Sequence, residues 1–168
     1  MLPEALRKTI QITILGVLLY ALFFFVNQNR TPPFKNRVGE FLKEPLEITW
    51  LNEKTQNKSL PTLLIRWEPW CPSCIRSIPQ NNELYEKYKG QLNIAGLTMQ
   101  WDDGTRELSR NLISYPVGQE QSGILDQYFE VQAIPFYVLL NAKKQVLYQG
   151  NKISEATLKR FFTLFPNS

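Results

Sequence analysis

Residues 9–29 run for 21 positions without a charge, and their core at 10–26 has only Gln11 and Thr13 as clearly polar members. Inside a bilayer every backbone N–H and C=O must be satisfied within the segment, so a single run of this kind can span only as a helix. At about 1.5 Å per residue the core reaches roughly 25 Å, close to the lower limit for a hydrocarbon layer of about 30 Å. A cleaved signal peptide is the rival reading. It fits less well, because the run exceeds a usual apolar signal region and the following NQNRTPP offers no small-residue cleavage site. The expectation is an uncleaved N-terminal membrane anchor over residues 1–29.

The charge pattern agrees. The 168 residues carry 19 Lys+Arg against 15 Asp+Glu, a formal net charge of +4. Arg7, Lys8, Arg30, Lys35 and Arg37 face only Glu4 within residues 1–37, whereas residues 38–168 hold 14 cations and 14 carboxylates. The excess brackets the apolar run, so it speaks of a membrane and not of nucleic acid. It does not orient the span, since Arg7, Lys8 and the α-amino group balance Arg30, Lys35 and Arg37. Residues 30–45 are polar, hold three prolines and lack sustained periodicity, and read as a linker to one domain over residues 46–168.

Within that domain, residues 46–51 (LEITWL) partly alternate and point to a strand leading, past the polar turn NEKTQNK, into a second strand at 62–67 (TLLIRW). The latter is almost continuously apolar, as befits a central strand covered on both faces. A helical pattern then runs from Cys71 to a stop at Gly90, with Pro72 tolerated in its first turn and Pro79 expected to kink it. A strand at 92–99, a turn at 102–104, a short helix through Leu108 and Leu112 and another at 123–130 follow. A hairpin of 136–140 with 145–148 and a last helix, capped by Ser154 and ending near Phe165, complete an α/β rhythm.

The chain has no histidine and two cysteines, Cys71 and Cys74, both within W-C-P-S-C. Ser-His-Asp and Cys-His catalysis, His-containing zinc sites and C-x-x-C-H haem attachment are thereby excluded, Ile75 standing where that last histidine belongs. A structural zinc needs four ligands, and no second cysteine pair supplies them. Closing so short a loop also makes a poor structural staple. Two chemistries remain for the pair: thiol–disulfide exchange, favoured by a thiolate at a helix N-terminus, and soft-ligand binding of Cu(I). The copper reading is short of ligands, with Met99 the domain's sole methionine.

W-C-P-S-C preceded by LLIRWEP, Pro79 five residues after the second cysteine, and Ile134-Pro135 ahead of FYVLL together resemble the thioredoxin superfamily. The long stretch between Cys74 and Pro135 and the N-terminal anchor resemble its membrane-tethered TlpA/ResA/DsbE branch, most of all the suppressor-of-copper-sensitivity D and related thioredoxin-like proteins of Gram-negative bacteria. The resemblance implies a thioredoxin fold, a mixed sheet between two helical layers. It also implies an exposed nucleophile at Cys71, a resolving Cys74, a cis-proline at Pro135 and an Ile134 backbone that pairs with substrate. Two positions depart from the pattern: Ile65 stands where many thioredoxins bury an acid, and Ser77 where many ResA- and DsbE-like proteins carry a glutamate.

Glu68 is then the nearest carboxylate in sequence to the cysteines. It is either a candidate for proton transfer with Cys74 or a solvated loop acid. Arg66, odd in an apolar strand, either pairs with Glu68 on the same face or snorkels at the sheet end. Among the nearby aromatics, Trp70 together with Ile134 is the candidate docking rim, Trp67 reads as core and Trp101 as part of a turn. The expected protein is a tethered thiol:disulfide oxidoreductase, more as reductase than oxidase, with no cofactor and no metal. Its partners are disulfide or dithiol proteins and a membrane electron-transfer or oxidising protein. Its domain lies in the periplasm, held to the inner membrane by a single pass. The alternative is a membrane-anchored Cu(I)-binding, copper-tolerance module.

Overall fold

The computed structural model describes residues 3–28, 34–42, 46–51, 56–57 and 59–164. Two compact units result, Met1–Pro32 and Pro33–Ser168. The first holds α1 (Glu4–Gln28), 25 residues of helix whose described apolar side chains, among them Ile12, Leu15, Val17, Leu19 and Phe23, are all exposed. Among the described residues no helix is long and apolar enough to cross a membrane.

The second unit is built on one six-stranded sheet. Its strands are β1 (Ile48–Trp50), β2 (Thr62–Arg66), β3 (Asn93–Thr98), β4 (Val117–Glu120), β5 (Phe136–Leu140) and β6 (Val146–Gly150), in the spatial order β1-β4-β3-β2-β5-β6. β2, β3 and β4 run parallel; β5, β6 and β1 are antiparallel to their neighbours. Helices α2 (Pro72–Tyr88), α3 (Asp103–Asn111) and α4 (Ile124–Phe129) fill the connections, and α5 (Glu155–Leu164) follows β6.

Alternation along the strands separates two cores. Leu63 and Ile65 of β2, Ile94 of β3 and Tyr137 and Leu139 of β5 face the layer formed by α2 and α5, with Ile78, Leu84, Leu158 and Phe161. Leu64, Ala95, Leu97, Phe136 and Val138 face the other way, toward Leu125 and Phe129 of α4. Central β2 is buried on both faces, as its nearly continuous apolar run demands.

Three details add to the sequence reading. First, β4 was not expected at all, and β1 pairs with it rather than with β2. At Gly118 of β4 an added Cβ would lie 2.3 Å from Ile48 Cγ2 and 3.2 Å from Trp50 Cε3, so only glycine admits β1 at this register. Second, α2 carries Pro79 inside it and continues to Tyr88. The missing N–H does not end the helix, because Ile78 and Leu84 on either side are buried in the core. Third, much of the stretch read as linker is packed. Phe34 packs its ring at a tilt against Phe136, centroids 5.1 Å apart, Leu42 is buried, and Phe41 bridges to Gln145. Backbone bonds Gly39 N–H to Val146 O (2.8 Å) and Val146 N–H to Glu40 O (2.8 Å) dock the segment beside β6. Arg37 lies 4.5 Å over the Tyr128 ring and pairs with Glu40 at 3.0 Å. Ser154 caps α5 as expected, accepting the Thr157 N–H at 3.2 Å; the expected end near Phe165 falls outside the described residues.

Candidate active site

Cys71 and Cys74 lie where β2 delivers the chain to α2. Trp67 N–H bonds Leu97 O at 3.0 Å, continuing the β2–β3 ladder one residue beyond the strand. The Cys71 N–H then bonds Glu68 O at 3.1 Å and closes the turn that starts the helix. Pro72 occupies the first helical position, where a missing N–H costs nothing. Cys71 is the N-cap residue of α2, and its sulfur accepts the Cys74 N–H at 3.2 Å. The two cysteines are joined in a disulfide with Cα atoms 5.2 Å apart.

In the reduced state the same geometry directs the Cys74 N–H and the positive end of a 17-residue helix at Cys71 Sγ, and both favour thiolate. Ser73 Oγ stands 3.2 Å from that sulfur and donates to Ile134 O at 3.3 Å. The Ile134–Pro135 peptide bond is cis, and Ile134 O is 3.7 Å from Cys71 Sγ. The sites flagged in sequence 60 positions apart thus form one cluster.

Cys71 is more enclosed than the resemblance implied: it is 4% exposed and Cys74 1%. Both sulfurs belong to the core cluster of Trp67 and Ile78, and half-buried Ile134 packs against it. Trp67 is core at 2% exposure, whereas Trp70, in the turn before α2, is 66% exposed. Gly96 makes room for Trp67, since a Cβ there would lie 2.9 Å from its Nε1. Trp101 is held under Arg106 at 5.2 Å. Of the candidate docking rim, Trp70 is exposed and Ile134 half-buried.

Glu68 is no solvated loop acid. It is 3% exposed, and its carboxylate accepts from Arg66 Nη1 at 2.6 Å, Thr98 Oγ1 at 2.8 Å and the Met99 N–H at 2.9 Å. Arg66 does pair with it, and Arg66 Nε also binds Asp126 of α4 at 2.9 and 3.0 Å. This ionic cluster lies on the α4 side, because Arg66 alternates with Leu64, while the cysteines lie on the α2 side with Ile65.

Behind Cys74 lies a polar chain that the sequence did not announce. Ser77 Oγ donates to Cys74 O at 2.7 Å, the Asn81 amide donates to Ser77 Oγ at 3.3 Å, and Tyr137 O–H donates to Asn81 at 3.3 Å. Asn81 is 1% exposed, and burial pushes the neighbouring Tyr115 phenol well above its ordinary range. Asn81 sits at the helical period of Cys74 and Ile78, which is the signal that marks it as buried. Among the described residues there is no group of three or more His, Cys, Asp or Glu side chains placed to hold a metal.

Asn151 is a second residue that sequence reasoning missed. Its amide donates to Ala133 O at 2.8 Å and Pro135 O at 3.0 Å, tying down the loop that faces the disulfide. Asn151→Ala is expected to slow exchange with a protein disulfide about three- to tenfold and to cost about 1–2 kcal/mol in denaturant unfolding. Alkylation of reduced Cys71 by iodoacetamide, which needs no docking, should keep its rate; equal slowing of both reactions would refute the positioning role.

The thioredoxin-like family profile matches residues 57–146. The thiol-disulfide oxidoreductase YkuV of Bacillus subtilis is 25% identical over 140 residues, which cover 71% of this chain and 95% of that protein. In three dimensions the chain is similar to a thioredoxin-like protein solved in solution in its oxidised form (TM-score 0.59, 22% identity, 79% of this chain and 97% of the other). It is also similar to StoA of Bacillus subtilis (TM-score 0.52, 22% identity, 64% and 84%). These structural likenesses carry the fold.

Proposed function

The chain belongs to the thioredoxin-like family, and from that premise we propose that this protein-disulfide oxidoreductase works tethered to a membrane, as a reductase of extracytoplasmic protein disulfides through Cys71 and Cys74. The observation that carries the reading is the Cys71–Cys74 disulfide at the N-terminus of α2, beside the Ile134–Pro135 loop. In the forward step the Cys71 thiolate forms a bond to one sulfur of the partner disulfide. The partner S–S bond breaks, and its leaving sulfur departs as thiolate and takes up a proton. Cys74 then loses its proton and attacks Cys71 Sγ, which re-forms the internal disulfide and releases the second partner thiolate. Two electrons pass to the partner, and the proton given up by Cys74 balances the one taken up by the first leaving sulfur, the second leaving as thiolate. Trp70 and the Ile134 backbone flank the attacked sulfur and hold the partner chain.

Tethering is supported by the uncharged run within a 25-residue helix, about 37 Å long, and by its exposed apolar side chains. A domain held at the outer face of an inner membrane meets an electron donor embedded there, which recharges the pair. The decisive measurement is the reduction potential of Cys71/Cys74: a reductase requires a value below about −200 mV, and one near −120 mV reverses the direction. Alkaline phosphatase fused after Arg37 should be active; an inactive fusion places the domain in the cytoplasm.

A further inference from the structure

The domain's charges cancel overall, but the surface beside the disulfide is not neutral. A cleft of about 560 Å³ opens between α2 and the loop that leads into α5, with Ser73 and Pro135 at its redox end and Tyr148 along its side. Its charged lining residues are Arg76, one turn and a half into α2, and Lys152; both are cations and both are exposed. Neither has an ion-pair partner among the described residues. Glu155, the carboxylate nearest in sequence to the cleft wall, is engaged elsewhere. Lys87 and Lys159 each bind it at 2.7 Å and hold its carboxyl down at about 2, so it stays charged and committed to them.

Two features give the cleft a firm shape. Gln80 Nε2 donates to Ile153 O at 2.8 Å, joining α2 to the opposite wall, and the Tyr148 hydroxyl donates to Lys152 O. Through Ser73, whose hydroxyl lies 3.2 Å from Cys71 Sγ, the cleft is continuous with the reacting sulfur. A chain segment whose cysteine is attacked by Cys71 therefore has its neighbouring side chains within the cleft.

We propose that this cleft receives a polypeptide segment bearing Asp or Glu beside its reactive cysteine, with Arg76 and Lys152 pairing with the carboxylates, so that acidic disulfide partners are selected. The proposal rests on the exchange reading above and adds the substrate class. Two solvated cations at a concave site give a modest preference, about five- to tenfold at low salt, that fades as salt screens it.

The test uses the full chain in non-ionic detergent, reduced with dithiothreitol and then freed of it. Two cyclic peptide disulfides, identical except that Asp residues flanking one cysteine are Asn in the second, are reacted with it. The acidic peptide should react about five- to tenfold faster, and the ratio should fall toward one in Arg76→Gln/Lys152→Gln and in high salt. Each ratio is taken within one protein, so any change in Cys71 reactivity caused by the lost cations cancels. Equal rates for the two peptides, or a ratio that survives the double substitution, overturn the proposal and leave exchange standing. If neither peptide is reduced, the exchange reading fails, and docking is decided by binding of fluorescein-labelled, cysteine-free versions to the oxidised chain. There the Asp peptide should bind at least about fivefold tighter than its Asn twin, and equal affinities refute the cleft.

Discussion

A Cys74→Ala chain will accumulate mixed disulfides through Cys71, and a Cys71→Ala chain will accumulate none. The asymmetry follows from the local geometry. Cys71 is the N-cap of α2, with the residue-74 N–H aimed at its sulfur, so alanine at 74 leaves both the backbone donor and the helix end in place. Attack on a partner disulfide proceeds, but release does not. The resolving step is intramolecular between groups held 5.2 Å apart at Cα, and well-oriented intramolecular reactions have effective molarities of about 10⁵ M or more. Its loss leaves only slow attack by free thiols, so turnover should fall by several orders of magnitude while the covalent complex persists. Non-reducing electrophoresis of the variant expressed in cells reads this directly. Capture of nothing by Cys74→Ala, together with alkylation of Cys71 no faster than an ordinary thiol near neutral pH, would sink the exchange mechanism.

The parts of this chain that could be read in advance are those where a local pattern and the tertiary environment agree. The almost continuously apolar run TLLIRW marked a strand buried on both sides, and W-C-P-S-C after it marked a helix start with a cysteine at its cap. What stayed hidden depends on partners distant in sequence. β4 reads VGQE, with no apolar run, because it is a strand only by virtue of neighbours on both sides. Its glycine matters through Ile48 and Trp50, some 70 positions away. Residues 34–42 look like a linker because most of their bonds go to β6 and α4 rather than to one another. The same holds within the site. Asn151 shows its role only when the loop at 133–135 lies beside it, and Glu68 looked solvated because nothing local reveals that Thr98 and the Met99 N–H close over it.

Replacing that buried carboxylate tests whether it carries a proton for Cys74 or braces the turn ahead of the cysteines. Glu68→Ala leaves Thr98 Oγ1 without its 2.8 Å partner and the Met99 N–H without its 2.9 Å acceptor, and leaves Arg66, 6% exposed, with Asp126 as its sole carboxylate. Removing one member of a buried ionic cluster costs about 3–5 kcal/mol where it strands the remaining charge; Asp126 still compensates Arg66, so the lower end, about 3 kcal/mol, is expected, a large fraction of a domain's stability. Glu68→Gln keeps the shape and one acceptor oxygen and should cost about half as much. Urea unfolding measures both. Because the carboxylate is saturated by Arg66, Thr98 and Met99 on the α4 side of the sheet, while both sulfurs lie with Ile65 on the α2 side, the folded glutamine variant should keep the pH profile of exchange unchanged. A profile displaced in Glu68→Gln with stability intact would instead make Glu68 the proton carrier for Cys74.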